Sequence, residues 1–232
     1  MFRLNSRAFI LAIFFITGCG PILDTSKEFL NPSDEINLST EQILNIPYPS
    51  IYMTLGEYKR SFIVLAYADN LPQSFSGVGQ SNVPLLKWVS ADNIMLTTSN
   101  GLLVKSVGIT SNDLQIHQYI ETDPFSLGLN SLNYNTTYPS TYKWKNGEHN
   151  YNAKSTFTNL GTEVIELALS TNDTFHIVEE VYVDAIKYKF TNDYWVDIKT
   201  GSIIKSIQVL YPSGPKVSIE IARPFGNYSH ER

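Results

Sequence analysis

Residues 186–210 read IKYKFTNDYWVDIKTGSIIKSIQVL. Two short runs rich in apolar and aromatic residues, 186–191 and 194–198, precede Lys199-Thr200-Gly201, and a third, 202–210, follows it. Runs of this length and composition, bounded by turn residues, read as strands, so the stretch predicts antiparallel pairing about a glycine turn. The same grammar extends outward. Strand patterns lie at 154–159, 163–169 and 175–183, with Asn172-Asp173 as a turn, and at 216–221. Nearer the amino terminus, 51–55 and 61–68 flank Gly56-Glu57-Tyr58-Lys59, and the second run is almost continuously apolar, as for a strand covered on both faces. Runs at 85–90, 94–98 and 102–107 are separated by Ala91-Asp92-Asn93 and Ser99-Asn100-Gly101. Asn-Gly is a strong hairpin signal because both residues tolerate positive φ.

Two segments depart from this pattern. Ser39 followed by Gln42 is a capping box ahead of Ile43, Leu44 and Ile46, which predicts a two-turn helix ended by Pro47 and Pro49. Residues 130–152, rich in Asn, Thr, Tyr and Ser, read mainly as loops. The expected fold is therefore all-β: an antiparallel meander forming a strongly curved sheet or barrel-like fold, with a short N-terminal helix. Closure is favoured because open strand edges invite aggregation. A faint internal echo pairs 101–107 with 201–207, both Gly-x-apolar-apolar-Lys-Ser-apolar and each downstream of a Trp-Val pair. Two copies fall short of a repeat architecture.

Composition narrows the function classes. The chain has 232 residues, 43% hydrophobic and 12% aromatic against 17% charged, so it can bury a core and is not a disordered tail. Its net charge of -5 and the lack of a basic block leave no footprint for nucleic acid. The one cysteine excludes an intrachain disulfide.

That cysteine has a telling position. Arg3 and Arg7, an apolar run over 8–16 and small residues before Cys19 have the layout of a signal peptide, and the run is too short to span a bilayer as a helix. Ile16-Thr17-Gly18-Cys19 resembles a bacterial lipobox, in contrast to an ordinary buried thiol. Cys19 is then the lipid attachment point, carrying diacylglyceryl and palmitate, and loss of residues 1–18 takes the charge from -5 to -7. Gly20, where an Asp would favour inner-membrane retention, implies the outer membrane, facing the periplasm. The expected organisation is a signal peptide over 1–18, a lipidated tether over 19–37, one β domain over 38–226 and a tail over 227–232.

Chemistry is sparse. His117, His149, His176 and His230 show no zinc-ligand spacing, and nucleophile elbows and P-loops are lacking, so no metal, cofactor or catalytic residue is expected. Asp92, Glu179, Glu180, Asp184 and Asp197 could provide a carboxylate pair for glycan hydrolysis. Turn-stabilising Asp residues and a solvated strand face explain them more simply. Tyr134, Tyr138, Tyr142, Trp144 and Tyr151 form the best candidate contact for a glycan or partner, since flat amphipathic rings stack on sugars; the competing reading is a loop packed over a sheet edge.

Trp88-Val89-Ser90-Ala91-Asp92, Asn100-Gly101 with Leu103-Val104-Lys105, Tyr194-Trp195-Val196-Asp197, Thr200-Gly201 and Ser206-x-Gln208, together with the lipobox, resemble the YjbF/GfcB family of bacterial lipoproteins. The match runs from about residue 47 to 225, and 74–82 departs from it. The resemblance implies a barrel-like fold and a non-enzymatic role in exopolysaccharide or group 4 capsule assembly and secretion. Polysaccharide or export-apparatus proteins are the partners it implies. It reads Trp88, Asp92, Gly101, Trp195, Asp197, Gly201 and Gln208 as structural or cavity-lining. An alternative is a carrier of lipid or lipid-linked glycan with a hydrophobic barrel cavity, since Trp195-x-Asp197-x-x-Thr200-Gly201 also resembles a hairpin of the LolA/LolB carriers.

Overall fold

The computed structural model describes residues 36–58, 60–70 and 83–226. The signal segment with Cys19, the tether up to residue 35, the 74–82 stretch and the 227–232 tail lie outside the described residues. Among the described residues, twelve strands form one sheet: β1 (Ser50–Leu55), β2 (Ser61–Asn70), β3 (Pro84–Val89), β4 (Met95–Ser99), β5 (Leu102–Val107), β6 (Leu114–Tyr119), β7 (Tyr138–Trp144), β8 (Tyr151–Glu166), β9 (Thr171–Val183), β10 (Tyr188–Asp197), β11 (Ile203–Val209) and β12 (Lys216–Arg223). All pairings are antiparallel, in the order β5-β4-β3-β2-β1-β12-β11-β10-β9-β8-β7-β6. The fold is thus the all-β, nearly closed barrel that the turn spacing implies.

The first and last strands pair, and the two edges of the sheet, β5 and β6, are consecutive in the chain. Side chains hold this seam. Ser106 Oγ donates to Asp113 Oδ1 at 3.0 Å and accepts from the Leu114 amide at 3.0 Å. The Asp113 carboxylate also accepts from the amides of Gly108, Ile109 and Thr110 at 2.7, 3.1 and 3.2 Å. One short polar turn thereby joins edges that lack a backbone ladder.

Local chemistry accounts for the turns. Asn100 and Gly101 have φ of 45° and 83°, the paired left-handed conformation of a two-residue hairpin. A Cβ on Gly101 would lie 2.7 Å from Ile203 Cβ, so close approach also demands glycine there. The helix α1 (Thr40–Asn45) has the expected capping box: Ser39 Oγ accepts from the Gln42 amide, and Gln42 Oε1 accepts from the Ser39 amide. Ile43 anchors it against Tyr52 and Ala222, and the Arg223 guanidinium donates to the carbonyls of Leu44 and Ile46 at its end.

Several expectations need correction. Residues 138–144 are not loop but strand β7, whose alternation buries Tyr138, Ser140, Tyr142 and Trp144 and turns Pro139, Thr141 and Lys143 outward. The run at 154–159 and residues 163–166 of the run at 163–169 are parts of one strand, β8, because a bulge between Asn159 and Thr162 absorbs Gly161 at φ 110° without breaking the pairing with β9. The turn that follows lies at 167–170, and Asn172-Asp173, expected as the turn, instead pair with Ile165 and Val164 at the start of β9. The runs at 186–191 and 194–198 likewise merge into β10, and β6 adds a strand the sequence reading did not assign.

The connection from β6 to β7 carries α2 (Pro124–Leu127) and a 3-10 turn (Leu129–Ser131). Asp123 caps α2, accepting from the Phe125 amide at 2.9 Å and the Ser126 hydroxyl at 2.8 Å. Phe125, Leu129 and Leu132 then pack among Leu102, Tyr119, Tyr138, Phe157, Ile177, Tyr194 and Val196. A second cluster, including Met53, Ile63, Trp88, Leu96, Leu114, Trp144, Val183 and Val217, fills the rest of the core.

Candidate functional site

Strand β9 reads Val178-Glu179-Glu180-Val181, and the two carboxylates have opposite fates. Glu180 points outward to Lys189, 2.7 Å away. Glu179 lies on the face of Ile177 and Val181 and is completely buried. Its Oε1 accepts from Tyr119 Oη at 2.5 Å and Ser155 Oγ at 2.6 Å, and its Oε2 accepts from Asn192 Nδ2 at 2.8 Å and Tyr194 Oη at 2.9 Å. β6, β8 and β10 thus converge on one carboxylate with four neutral donors, the full hydrogen-bonding capacity of its two oxygens.

The network continues toward β5 and β11. Tyr194 Oη lies 3.4 Å from Gln208 Oε1, which accepts from the Leu103 amide at 2.9 Å. Gln208 Nε2 contacts the Gly101 carbonyl and Ser206 Oγ, both at 2.9 Å. Asn192 Oδ1 accepts from the Val209 amide at 2.8 Å. Each of these bonds satisfies a buried group that would otherwise cost about 1–3 kcal/mol.

Burial sets the protonation states. The hydroxyls of Tyr119, Tyr142 and Tyr194 titrate well above the usual phenol, through desolvation first and the Glu179 charge second, so they remain proton donors. His117 stacks on Tyr142 with ring centroids 3.9 Å apart. Desolvation lowers its pKa to about 4, against the opposing pull of Glu179 and of a hydrogen bond to the Leu103 backbone. The ring is neutral at pH 7. His117 Nε2, Ser140 Oγ and Tyr142 Oη are buried without a hydrogen-bond partner.

Beside this polar centre the barrel is open. A cavity of about 710 Å³ is lined by Ile51, Leu86, Trp88, Thr98, Ile219 and Ile221 of the wall, by Asn100, Gly101 and residues 198–206, and by residues 125–130 around α2. The Trp88 indole N–H donates to Thr98 Oγ1 at 2.9 Å. Ser206 belongs both to the cavity wall and to the Gln208 network, linking the mouth to Glu179. Leu127, Ile198 and Phe225 also line the mouth and are exposed.

The residues singled out in the sequence fall in distinct places. Trp88, Gly101 and Gly201 line the mouth, and Gln208 is buried in the network. Asp197 Oδ1 is occupied by its own turn, accepting from the Thr200 amide at 2.7 Å and hydroxyl at 2.8 Å. Asp92 lies in the exposed β3–β4 turn, which Ser90 Oγ and the left-handed Asn93 close. Because β4 runs from the Asp92 turn to Gly101, and Gly101 abuts Ile203 beyond the Asp197 turn, the two aspartates sit at opposite ends of the barrel. They form no acid/base pair.

Trp195 does not line the cavity. It lies on the opposite face of β10 from Tyr194 and Val196, stacked on His176 at 4.6 Å, with its indole N–H donating to Glu163 Oε2 at 2.8 Å and Lys205 above the ring. Tyr138, Tyr142 and Trp144 are buried in the wall, while Tyr134 and Tyr151 are half-buried against it. The five aromatic residues therefore do not gather on an open surface. Glu179, read from sequence as one strand carboxylate among several, is the centre of the polar network; its partners lie 13 to 60 residues away. Among the described residues, no cluster of three or more His, Cys, Asp or Glu side chains could hold a metal ion.

A family model described as group 4 capsule polysaccharide lipoprotein gfcB, YjbF matches residues 23–221. The uncharacterized lipoprotein GfcB of Escherichia coli (strain K12) is 30% identical over 227 residues, 94% of this chain and 99% of that one. The uncharacterized lipoprotein YjbF of the same organism is 27% identical over 212 residues, 88% of this chain and 90% of that one. The crystal structure of the hypothetical lipoprotein YmcC from Escherichia coli (K12) matches with a TM-score of 0.68 at 27% identity, covering 89% of this chain and 98% of that one. With the fold, the order of the Trp-centred blocks and the relatives in agreement over nearly the whole length, the chain belongs to the YjbF/GfcB family of capsule polysaccharide lipoproteins.

Proposed function

We propose that the protein serves exopolysaccharide or capsule assembly and secretion by binding rather than catalysis. In this reading it is anchored through Cys19 to the periplasmic face of the outer membrane and holds a lipid-linked glycan in its barrel mouth. The cavity of about 710 Å³ carries the reading, since sites for small ligands run from about 300 to 1,000 Å³. Ile51, Leu86, Trp88, Ile219 and Ile221 offer apolar contact to a lipid chain, and Thr98, Asn100 and Asn130 offer hydrogen bonds to a saccharide. Two or more acyl chains give stable anchoring, and tethering raises the effective concentration of any partner on the same membrane.

The carboxylates support binding over turnover. Asp92 and Asp197 are at opposite ends, and Glu179 is saturated by four donors. A second reading, docking on a protein of the export apparatus, draws on the exposed apolar rim of Leu127, Ile198 and Phe225. One experiment separates the two. A deletion strain should lose surface polysaccharide, and Ser206→Trp, which fills the mouth, should fail to restore it while the folded protein accumulates. Restoration by Ser206→Trp but not by Leu127→Asp/Ile198→Asp would favour protein docking, and unchanged polysaccharide on deletion would overturn both.

A further inference from the structure

The ladder of hydrogen bonds runs through eleven strand pairs and stops between β5 and β6. Over that seam, on the outer wall, lies a second cavity of about 280 Å³. It is separate from the mouth, because alternation along β3 and β4 sends Trp88 and Thr98 inward to the mouth and Lys87 and Thr97 outward to the groove. Its volume, just below the usual range for drug-sized ligands, suits a single ring.

The groove is chemically unfinished. Thr97 and His117 line it, each 3% exposed, and Thr97 Oγ1 and His117 Nε2 are buried without a hydrogen-bond partner within the protein. Leaving such groups unsatisfied is costly, so both are candidates for hydrogen bonds from a ligand. The ring hydrogen bond of His117 goes to the Leu103 backbone across the seam, which leaves Nε2 as an acceptor with no donor from the protein. Leu102, Val104 and Ile116 form apolar flanks. At the edge, Lys105 is exposed and forms no ion pair with a described residue, whereas Lys87 pairs with Asp69 and the Asp123 carboxylate is committed to the α2 cap.

An acceptor in the floor, aliphatic walls and a cation at the edge match a ring that carries hydroxyl donors, a C–H face and a negative charge. We propose that the seam groove binds one acidic sugar unit, with a hydroxyl donating to His117 Nε2, a second hydrogen bond to Thr97 Oγ1 and the carboxylate facing Lys105. The assignment stands on the groove's own chemistry and goes beyond the mouth site. A glycan touching both places would be gripped along the wall of the barrel as well as at its opening.

The test uses the full chain, a glucuronate-containing oligosaccharide and its neutral glucose counterpart. Calorimetry should detect saturable binding of the acidic probe only, and the ¹⁵N resonance of His117 Nε2 should move with the same saturation. His117→Phe keeps a ring on Tyr142 without the acceptor, and Lys105→Glu reverses an exposed charge; each should weaken binding by about tenfold or more. Leu160→Ser, at an exposed position of β8 that lines neither cavity, should leave it unchanged. Absence of saturable binding, equal affinity for the neutral probe, or indifference to both groove variants would overturn the proposal. Loss of binding in Ile198→Asp, at the mouth, but not in the groove variants would move the sugar to the mouth and also overturn it. If His117→Phe does not fold, Lys105→Glu and the Nε2 resonance still decide.

Discussion

Glu179 is a carboxylate buried among alcohols and amides rather than beside a cation. That arrangement is stable only because every donor points inward: three hydroxyls and one amide share its two oxygens. Glu179→Gln keeps the shape but replaces one oxygen with an NH₂ that faces two donors. Urea unfolding should show a loss of about 1–3 kcal/mol. His117 makes the complementary prediction. Folded, it titrates near 4, against 6.5 for the free side chain. In that interval the unfolded chain binds the extra proton, so its contribution is complete above about pH 6.5 and falls as pH drops toward 4. The full shift corresponds to about 3 kcal/mol. The stability difference between wild type and His117→Phe, followed by denaturation from pH 7 to 4.5, should shift by about 2 kcal/mol in favour of the variant, the remainder of the full shift being lost as pH falls through 4. A pH-independent difference would contradict a buried, neutral ring.

At the scale of elements, the seam between β5 and β6 is the junction that side chains hold in place of a backbone ladder. Asp113 holds four donors across the turn from β5 to β6, and no backbone ladder backs it up. Asp113→Ala should cost about 3 kcal/mol, with hydrogen exchange accelerating first in β5 and β6 and last in β9 and β10. Uniform acceleration would mean that the seam is not a separate opening unit. The hairpins themselves were readable from local chemistry. Asn100-Gly101 announces a turn that needs positive φ twice, and Ser39 with Gln42 announces a helix start; both concern residues a few positions apart. β7 was hidden because Tyr, Ser, Thr and Lys dominate it, although Tyr138, Ser140, Tyr142 and Trp144 alternate with period two. The Glu179 network could not be read from one strand, since it exists only once β6, β8 and β10 are side by side. For Trp195 the sequence left a structural and a cavity-lining role open, because a large aromatic on a strand can also be buried on the outer face, here by His176, Glu163 and Lys205.

For the whole molecule, the contrast between a filled and an open region matters most. The α2 plug and the Glu179 network close one part of the interior, while β1, β3, β4, β11 and β12 leave the mouth open. The two echoing segments, β5 after Gly101 and β11 after Gly201, meet across the interior: Gln208 bonds the Gly101 carbonyl and the Leu103 amide. This contact ties β11 to β5 beside the mouth. The proposed function makes the mouth a binding site. Trp88 reports on it directly, because its ring forms part of the cavity wall while Trp144 lies in the packed core and Trp195 on the outer face. Titrating the full-length protein with a lipid-linked oligosaccharide should give a saturable change in tryptophan fluorescence that Trp88→Phe abolishes and Ser206→Trp prevents. A titration with no saturable signal, or one that survives filling the mouth, would contradict the account.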